Sequence, residues 1–144
     1  MTIQHAAHLD LVGRVRGVLL PVASAGAALA GGLVVALVDP NEAGHYPTCP
    51  FLALTGAYCP GCGSLRAIHA LARGDVATAM ARNPFAVVAL VGLVVGWVLW
   101  TWRLWNGRRR TWVVPAWAIH AFLAAVMAFW VLRNVPGWTW LSPA

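Results

Sequence analysis

Three uncharged apolar runs, at residues 17–38, 85–102 and 112–132, most constrain what this chain can fold into. The first is 22 residues long. As a helix rising 1.5 Å per residue it would reach about 33 Å, enough to cross the roughly 30 Å hydrocarbon core of a bilayer. The sequence therefore reads as all-α, an integral membrane protein forming one domain over residues 1–144. Three transmembrane helices are expected at about 17–38, 84–105 and 112–132. A short re-entrant or interfacial segment, 49–83, is expected between the first and second. Only 10% of the residues are charged against 60% hydrophobic. A soluble domain carries roughly 25% charge, so this chain lacks the groups to cover a water-facing surface. A cleaved secretory signal could also begin this way, with small residues at Ala25, Ala27 and Ala30. The length of the apolar core favours an uncleaved helix.

The net charge is +6, and all ten basic residues are arginine. They flank the apolar runs instead of lining one face, which points to membrane topology and phospholipid headgroups and away from nucleic acid. Arg14, Arg16, Arg103, Arg108, Arg109 and Arg110 fall on one side of the expected spans. Arg66, Arg73, Arg82 and Arg133 fall on the other, with Asp39, Glu42 and Asp75. The positive-inside bias then predicts a multi-pass protein of the cell membrane with a cytoplasmic N-terminus. The cysteine segment and the C-terminus would be extracytoplasmic. Three thin helices bury little surface, so the expected partners are the lipid bilayer and either further copies of the chain or a larger membrane complex.

The segment between the first two runs carries the chemistry. It holds all three cysteines, as Cys49-Pro50 and Cys59-Pro60-Gly61-Cys62-Gly63. From Ser64 the pattern turns helical. Leu65, Ile68, Leu71 and Ala72 share one stripe, and Arg66, His69 and Arg73 share the opposite one. Gly74 is placed to end this helix and Asp75 to cap a second through Arg82. Asn83-Pro84 has the form of a helix start, with Asn as cap and Pro in the first turn.

In combination, CPFLALTGAYCPGCGSLRA and GDVATAMARNPF resemble the signature of a widespread bacterial family of small membrane proteins catalogued as a domain of unknown function. That pattern is a leading Cys-Pro, then Cys-Pro-x-Cys-Gly-x-x-Arg-Ala, then Gly-Asp and Asn-Pro. The resemblance covers residues 49–85 and implies a shared membrane fold, but no reaction. The family usually has Thr before its Arg; here that place is Leu65.

Three chemistries are open to the cysteines. Cys-x-x-Cys-Gly has the shape of a zinc knuckle, whose turn lets two thiolates converge on one ion. Cys49 would be the third ligand and His45, in the preceding loop, the fourth. His69 lies too far along the helix to share the ion. The alternative is a membrane thiol–disulfide oxidoreductase cycling the Cys59/Cys62 pair, its thiolate favoured by a helix N-terminus. The third is a permanent disulfide from Cys49 to Cys59 or Cys62. Arg66 sits near a helix N-terminus, where a cation is disfavoured. A further reading is therefore an accessory subunit in which Arg66, with the N–H groups of Gly63 and Ser64, holds an anionic lipid headgroup. His120, inside the third run, is expected to bond a neighbouring helix. With four acids in the chain and no triad or P-loop, no catalytic residue is singled out.

Overall fold

The computed structural model describes residues 3–107, 113–138 and 141, with side chains from residue 17 in the first helix. Among the described residues the elements are all helical, in the order α1 (Ile3–Leu37), α2 (Pro50–Thr55), α3 (Ser64–Ala72), α4 (Val76–Arg82), α5 (Pro84–Trp105) and α6 (Ala116–Leu132). The first helix begins well before the first apolar run. Residues 3–12 hold good helix formers and no proline, and α1 runs through them.

Two helical stretches, not three, are long and apolar enough to cross a membrane. They are Gly17–Leu37 and Pro84–Trp105, with mean hydropathies of 2.1 and 2.2. The expected third span falls short. Residue 112 lies outside the described residues, and Pro115 has an extended backbone (ψ 146°) and caps α6. A residue preceding proline is driven out of the helical region, so helix begins only at Ala116. The resulting 17 residues give about 26 Å, less than the roughly 30 Å of hydrocarbon. Large apolar side chains on all three helices stand open, among them Leu37 (76% exposed), Leu93 (70%) and Trp117 (72%). A soluble monomer rarely leaves so much apolar surface uncovered. His120 does not reach another helix; its Nδ1 lies 2.8 Å from the Ala116 carbonyl of its own.

The chain divides into two compact units. The first comprises Met1–Ala30 and Val91–Val113. Here Trp97 Nε1 donates to the Pro21 carbonyl at 3.1 Å and to Ser24 Oγ at 3.2 Å. Ser24 Oγ in turn donates to the same carbonyl at 2.8 Å. An indole N–H in an apolar run needs an acceptor, and these two oxygens supply one.

The second unit comprises Gly31–Leu90 and Val114–Ala144 and holds every cysteine. Its core is small: Ala67 and Ala70 of α3 meet Ala79 of α4 and Val87 of α5, with Leu71 packed alongside. As the sequence implied, Gly74 takes a left-handed φ of +78°, and Asp75 caps α4 by accepting from Thr78 N at 2.9 Å. The buried face of α3 differs from the expected one. Alanines let α3 and α4 approach closely, so Leu65 is left 40% exposed while His69, read as part of the polar stripe, is 4% exposed. Phe85 stacks on Phe129 with centroids 5.4 Å apart, and Phe51 meets Trp130 edge-on at 5.7 Å. These rings seat α6 against the start of α5 and against α2.

Candidate functional site

The two cysteine stations converge. Cys49 is the N-cap residue of α2, whose first helical position is Pro50. Cys59 and Cys62 lie on the turn leading into α3, which Gly63 opens with φ +82°. The Cys49 and Cys59 sulfurs are 3.5 Å apart and those of Cys59 and Cys62 are 3.0 Å apart. All three lie within 4.8 Å of one another. Thiolates on a tetrahedral zinc, at a Zn–S bond of about 2.3 Å, stand roughly 3.8 Å apart. The two shorter sides fall somewhat inside that spacing, close enough for one ion to draw the sulfurs together. None of the three is joined in a disulfide in this structure. The backbone N–H of Cys59 is directed at the Cys62 sulfur at 3.3 Å.

His45 is not brought to this cluster. Its Nδ1 lies 2.9 Å from the Asp39 carbonyl and its Nε2 3.2 Å from Glu42 Oε2. Among the described residues, no fourth His, Cys, Asp or Glu atom joins the three sulfurs at that spacing.

What fixes the turn is a pair of buried polar side chains from elsewhere in the chain. Arg133, the C-cap residue of α6, donates from Nη1 to the carbonyls of Cys59 (2.9 Å) and Pro60 (3.1 Å), and from Nη2 to that of Cys62 (3.0 Å). Its guanidinium lies 4.9 Å over the Phe129 ring and 5.9 Å over that of Tyr58. Asn83 Nδ2 donates to the Pro60 and Cys62 carbonyls and to Ser64 Oγ, at 3.0, 3.1 and 3.2 Å. Its Oδ1 accepts from Ala86 N at 2.9 Å, which is the helix cap that Asn83-Pro84 predicted. Arg133 is 2% exposed and Asn83 fully buried. Asn134 ties down the preceding residue, accepting from Tyr58 N and donating to Tyr58 O. Sequence reading assigned Arg133 only to a charge count. Its one signal was an arginine directly after a long apolar run, which headgroups explain equally well.

The thiols differ in acidity. Cys49 is held below the ordinary thiol value, chiefly by the Leu52 backbone N–H and then by the Cys59 side chain. The cap hydrogen bond itself does not close, so this is an influence of the N–H dipole at longer range. Burial, reinforced by the Cys59 side chain, pushes Cys62 up to about 12. Burial also lowers Arg133 from its usual value, opposed by the neighbouring Cys62, Cys59 and Tyr58. An arginine side chain stays charged regardless.

A second cluster closes the C-terminal end of α1. His69 Nδ1 lies 2.7 Å from the Val35 carbonyl, and a carbonyl only accepts, so Nδ1 carries the proton. The other ring nitrogen faces Asp39 Oδ1 at 3.7 Å. Tyr46 OH donates to Val38 O and Arg66 Nε to Pro40 O, both at 3.4 Å. Arg66 therefore lies by the negative end of α1, which offsets its position near the start of α3. Of the residues expected to hold an anion, Arg66 spends this donor on Pro40, and Ser64 N donates to the Gly61 carbonyl at 3.0 Å. Gly63 serves as the left-handed N-cap of α3.

Fold and site together define an all-helical chain in which a buried arginine and asparagine shape a three-cysteine turn. Residues 49–97 match the model of a family described as protein of unknown function (DUF2752). The match takes in the three cysteines, Arg66 and Asn83, and ends before Arg133. No curated protein and no solved structure matches the chain.

Proposed function

We propose that this chain is an integral membrane protein carrying a zinc site on the thiolates of Cys49, Cys59 and Cys62, and that the site is structural. The observation that carries this reading is the mutual approach of the three sulfurs, all within 4.8 Å. Zinc suits thiolate ligands and tolerates a mixed fourth position. Its role here would be to tie the N-terminus of α2 to the turn before α3, so that binding energy becomes folding energy. Two consecutive crossings, Gly17–Leu37 and Pro84–Trp105, would leave the intervening cysteine segment on one side of the bilayer. The arginine bias supports an extracytoplasmic side, with the N-terminus cytoplasmic.

Metal analysis of the detergent-purified full chain tests this. One zinc per chain in the native protein, lost in Cys62→Ser, is the expected result; native protein free of stoichiometric metal rejects it. The 3.0 Å separation of Cys59 and Cys62 favours a second reading, a thiol–disulfide couple on that pair. Alkylation mass shifts before and after reduction separate the two. Reversible gain and loss of one disulfide supports cycling, and three thiols that never oxidise exclude it.

A further inference from the structure

We infer that Arg133 is the internal counter-cation of the cysteine site, so that the site is built to hold a divalent, sulfur-seeking ion on three thiolates. This rests on the metal reading above and says which charge state that site takes.

Arg133 is 2% exposed and permanently charged. A buried cation is strongly unfavourable unless an opposite charge lies near. Among the described residues no carboxylate pairs with it; Glu42 lies by His45 and Asp39 by His69. Its hydrogen bonds to the cysteine turn all go to carbonyls, which are neutral, and its Nε is buried without an acceptor. The C-terminal dipole of α6 offsets about half a charge at most. The groups able to supply a full negative charge sit on the loop that the guanidinium grips. Three neutral thiols supply none. Three thiolates around a divalent ion carry one net negative charge, which a single arginine balances. Around a monovalent ion the same three thiolates would carry two and leave one unbalanced. The arginine thus favours a divalent ion on all three sulfurs over a monovalent one.

A clamp and a counter-charge make different demands on the side chain, and two substitutions separate them. Arg133→Lys keeps the charge and loses the planar fork; Arg133→Gln keeps amide donors and loses the charge. Zinc affinity of the detergent-purified full chain is read by competition with a chromophoric chelator. The number of bound thiolates is read from the sulfur-to-cobalt charge-transfer absorbance of the cobalt-loaded form. Outer-shell changes at metal sites cost about 10- to 100-fold in affinity, so Arg133→Gln is expected to lose at least about tenfold and Arg133→Lys no more than about threefold. Arg133→Gln should also show a weaker charge-transfer band. Equal affinity in Arg133→Gln and wild type overturns the inference. So does an Arg133→Lys protein as weak as Arg133→Gln, which leaves a clamp alone. Wild-type protein that takes up no zinc sinks the metal reading itself and this inference with it.

Should Arg133→Gln fail to fold, Asn134 offers another route, because it borders the same cavity of about 230 Å³ as Arg133. Asn134→Asp adds a carboxylate to the wall of the cavity that Arg133 also lines, and competes for its charge. Asn134→Leu loses the Nδ2 donors as Asn134→Asp does, and the acceptor for Tyr58 N as well, without adding charge. Zinc binding weakened in Asn134→Asp and kept in Asn134→Leu supports the counter-cation. Equal binding in the two variants counts against it.

Discussion

Arg133 and Asn83 donate to one and the same carbonyl, that of Pro60, at 3.1 and 3.0 Å, and share the Cys62 carbonyl as well. A backbone turn that directs the Cys59, Pro60 and Cys62 carbonyls inward has few ways to satisfy them away from water. This turn uses one side chain from the start of α5 and one from the end of α6. The cysteine geometry is thus set from outside the cysteine motif.

Asn83 gives the sharpest test of that arrangement. Asn83→Asp keeps the oxygen that caps α5 and loses every Nδ2 donor, and it turns a buried negative charge toward the Pro60 and Cys62 carbonyls. Asn83→Ala loses both functions without adding charge. Leaving buried acceptors unpaired costs about 1–3 kcal/mol, more when charge is involved. Thermal melts of the detergent-solubilised protein should therefore place both Asn83→Asp and Asn83→Ala below wild type. A melt of Asn83→Asp at the wild-type temperature would show that the cap alone matters.

The thiols should react in a fixed order. In metal-free protein at mildly alkaline pH, iodoacetamide should label Cys49 first and Cys62 last, since Cys49 is partly exposed with its acidity raised, while Cys62 is buried with a value near 12. The linkage signs follow. Cys62, raised in the fold, favours the folded metal-free chain below the ordinary thiol value, and that contribution is lost as pH climbs toward 12. Cys49, lowered in the fold, contributes above the ordinary value and loses its contribution as pH falls through the lowered one. Peptide mass spectrometry across a time course reads the order; early labelling of Cys62 would contradict it.

Much of this was legible from residue order, because the deciding physics was local. Asp75 with Thr78, Asn83 before Pro84 and Gly74 after the α3 run are short-range caps and stops, and each stands where the pattern put it. The Cys-Pro-x-Cys-Gly turn likewise announces a knuckle, and the third cysteine joins it. One failure is local and the others are long-range. Pro115 shortens α6 by a backbone rule visible in the sequence but overridden in the reading by hydropathy. Leu65 and His69 exchange roles because close packing on Ala67 and Ala70 selects small side chains, which an apolar stripe does not reveal. Arg133 is 71 residues from Cys62, the carbonyl it holds, and periodicity contains nothing about such a pairing.

His69 should matter for stability and not for metal. The last carbonyls of a helix lack intrahelical partners, and His69 supplies one to Val35 from a site 4% exposed. His69→Phe leaves that carbonyl buried and unpaired, at a cost of about 1–3 kcal/mol. Zinc content should stay at the native level while the melting temperature falls. Loss of zinc in proportion to the lost stability would instead tie the α1 end to the cysteine site.

Gly63 and Gly74 provide a matched pair for the last test. Both hold a left-handed backbone, at φ +82° and +78°, where any L side chain is strained by about 1–2 kcal/mol. Gly74 stands between α3 and α4, away from the cysteines in sequence, and Gly63 directly follows Cys62. Gly63→Ala and Gly74→Ala should therefore destabilise the chain to a similar degree. Only Gly63→Ala should also displace the Cys62 sulfur, since relief of its strain rotates the turn that the sulfur hangs from. Zinc affinity by chelator competition should fall in Gly63→Ala and hold in Gly74→Ala. An equal fall in both would mean that metal binding tracks global stability, and that the turn between Cys59 and Gly63 has no special hold on the ion.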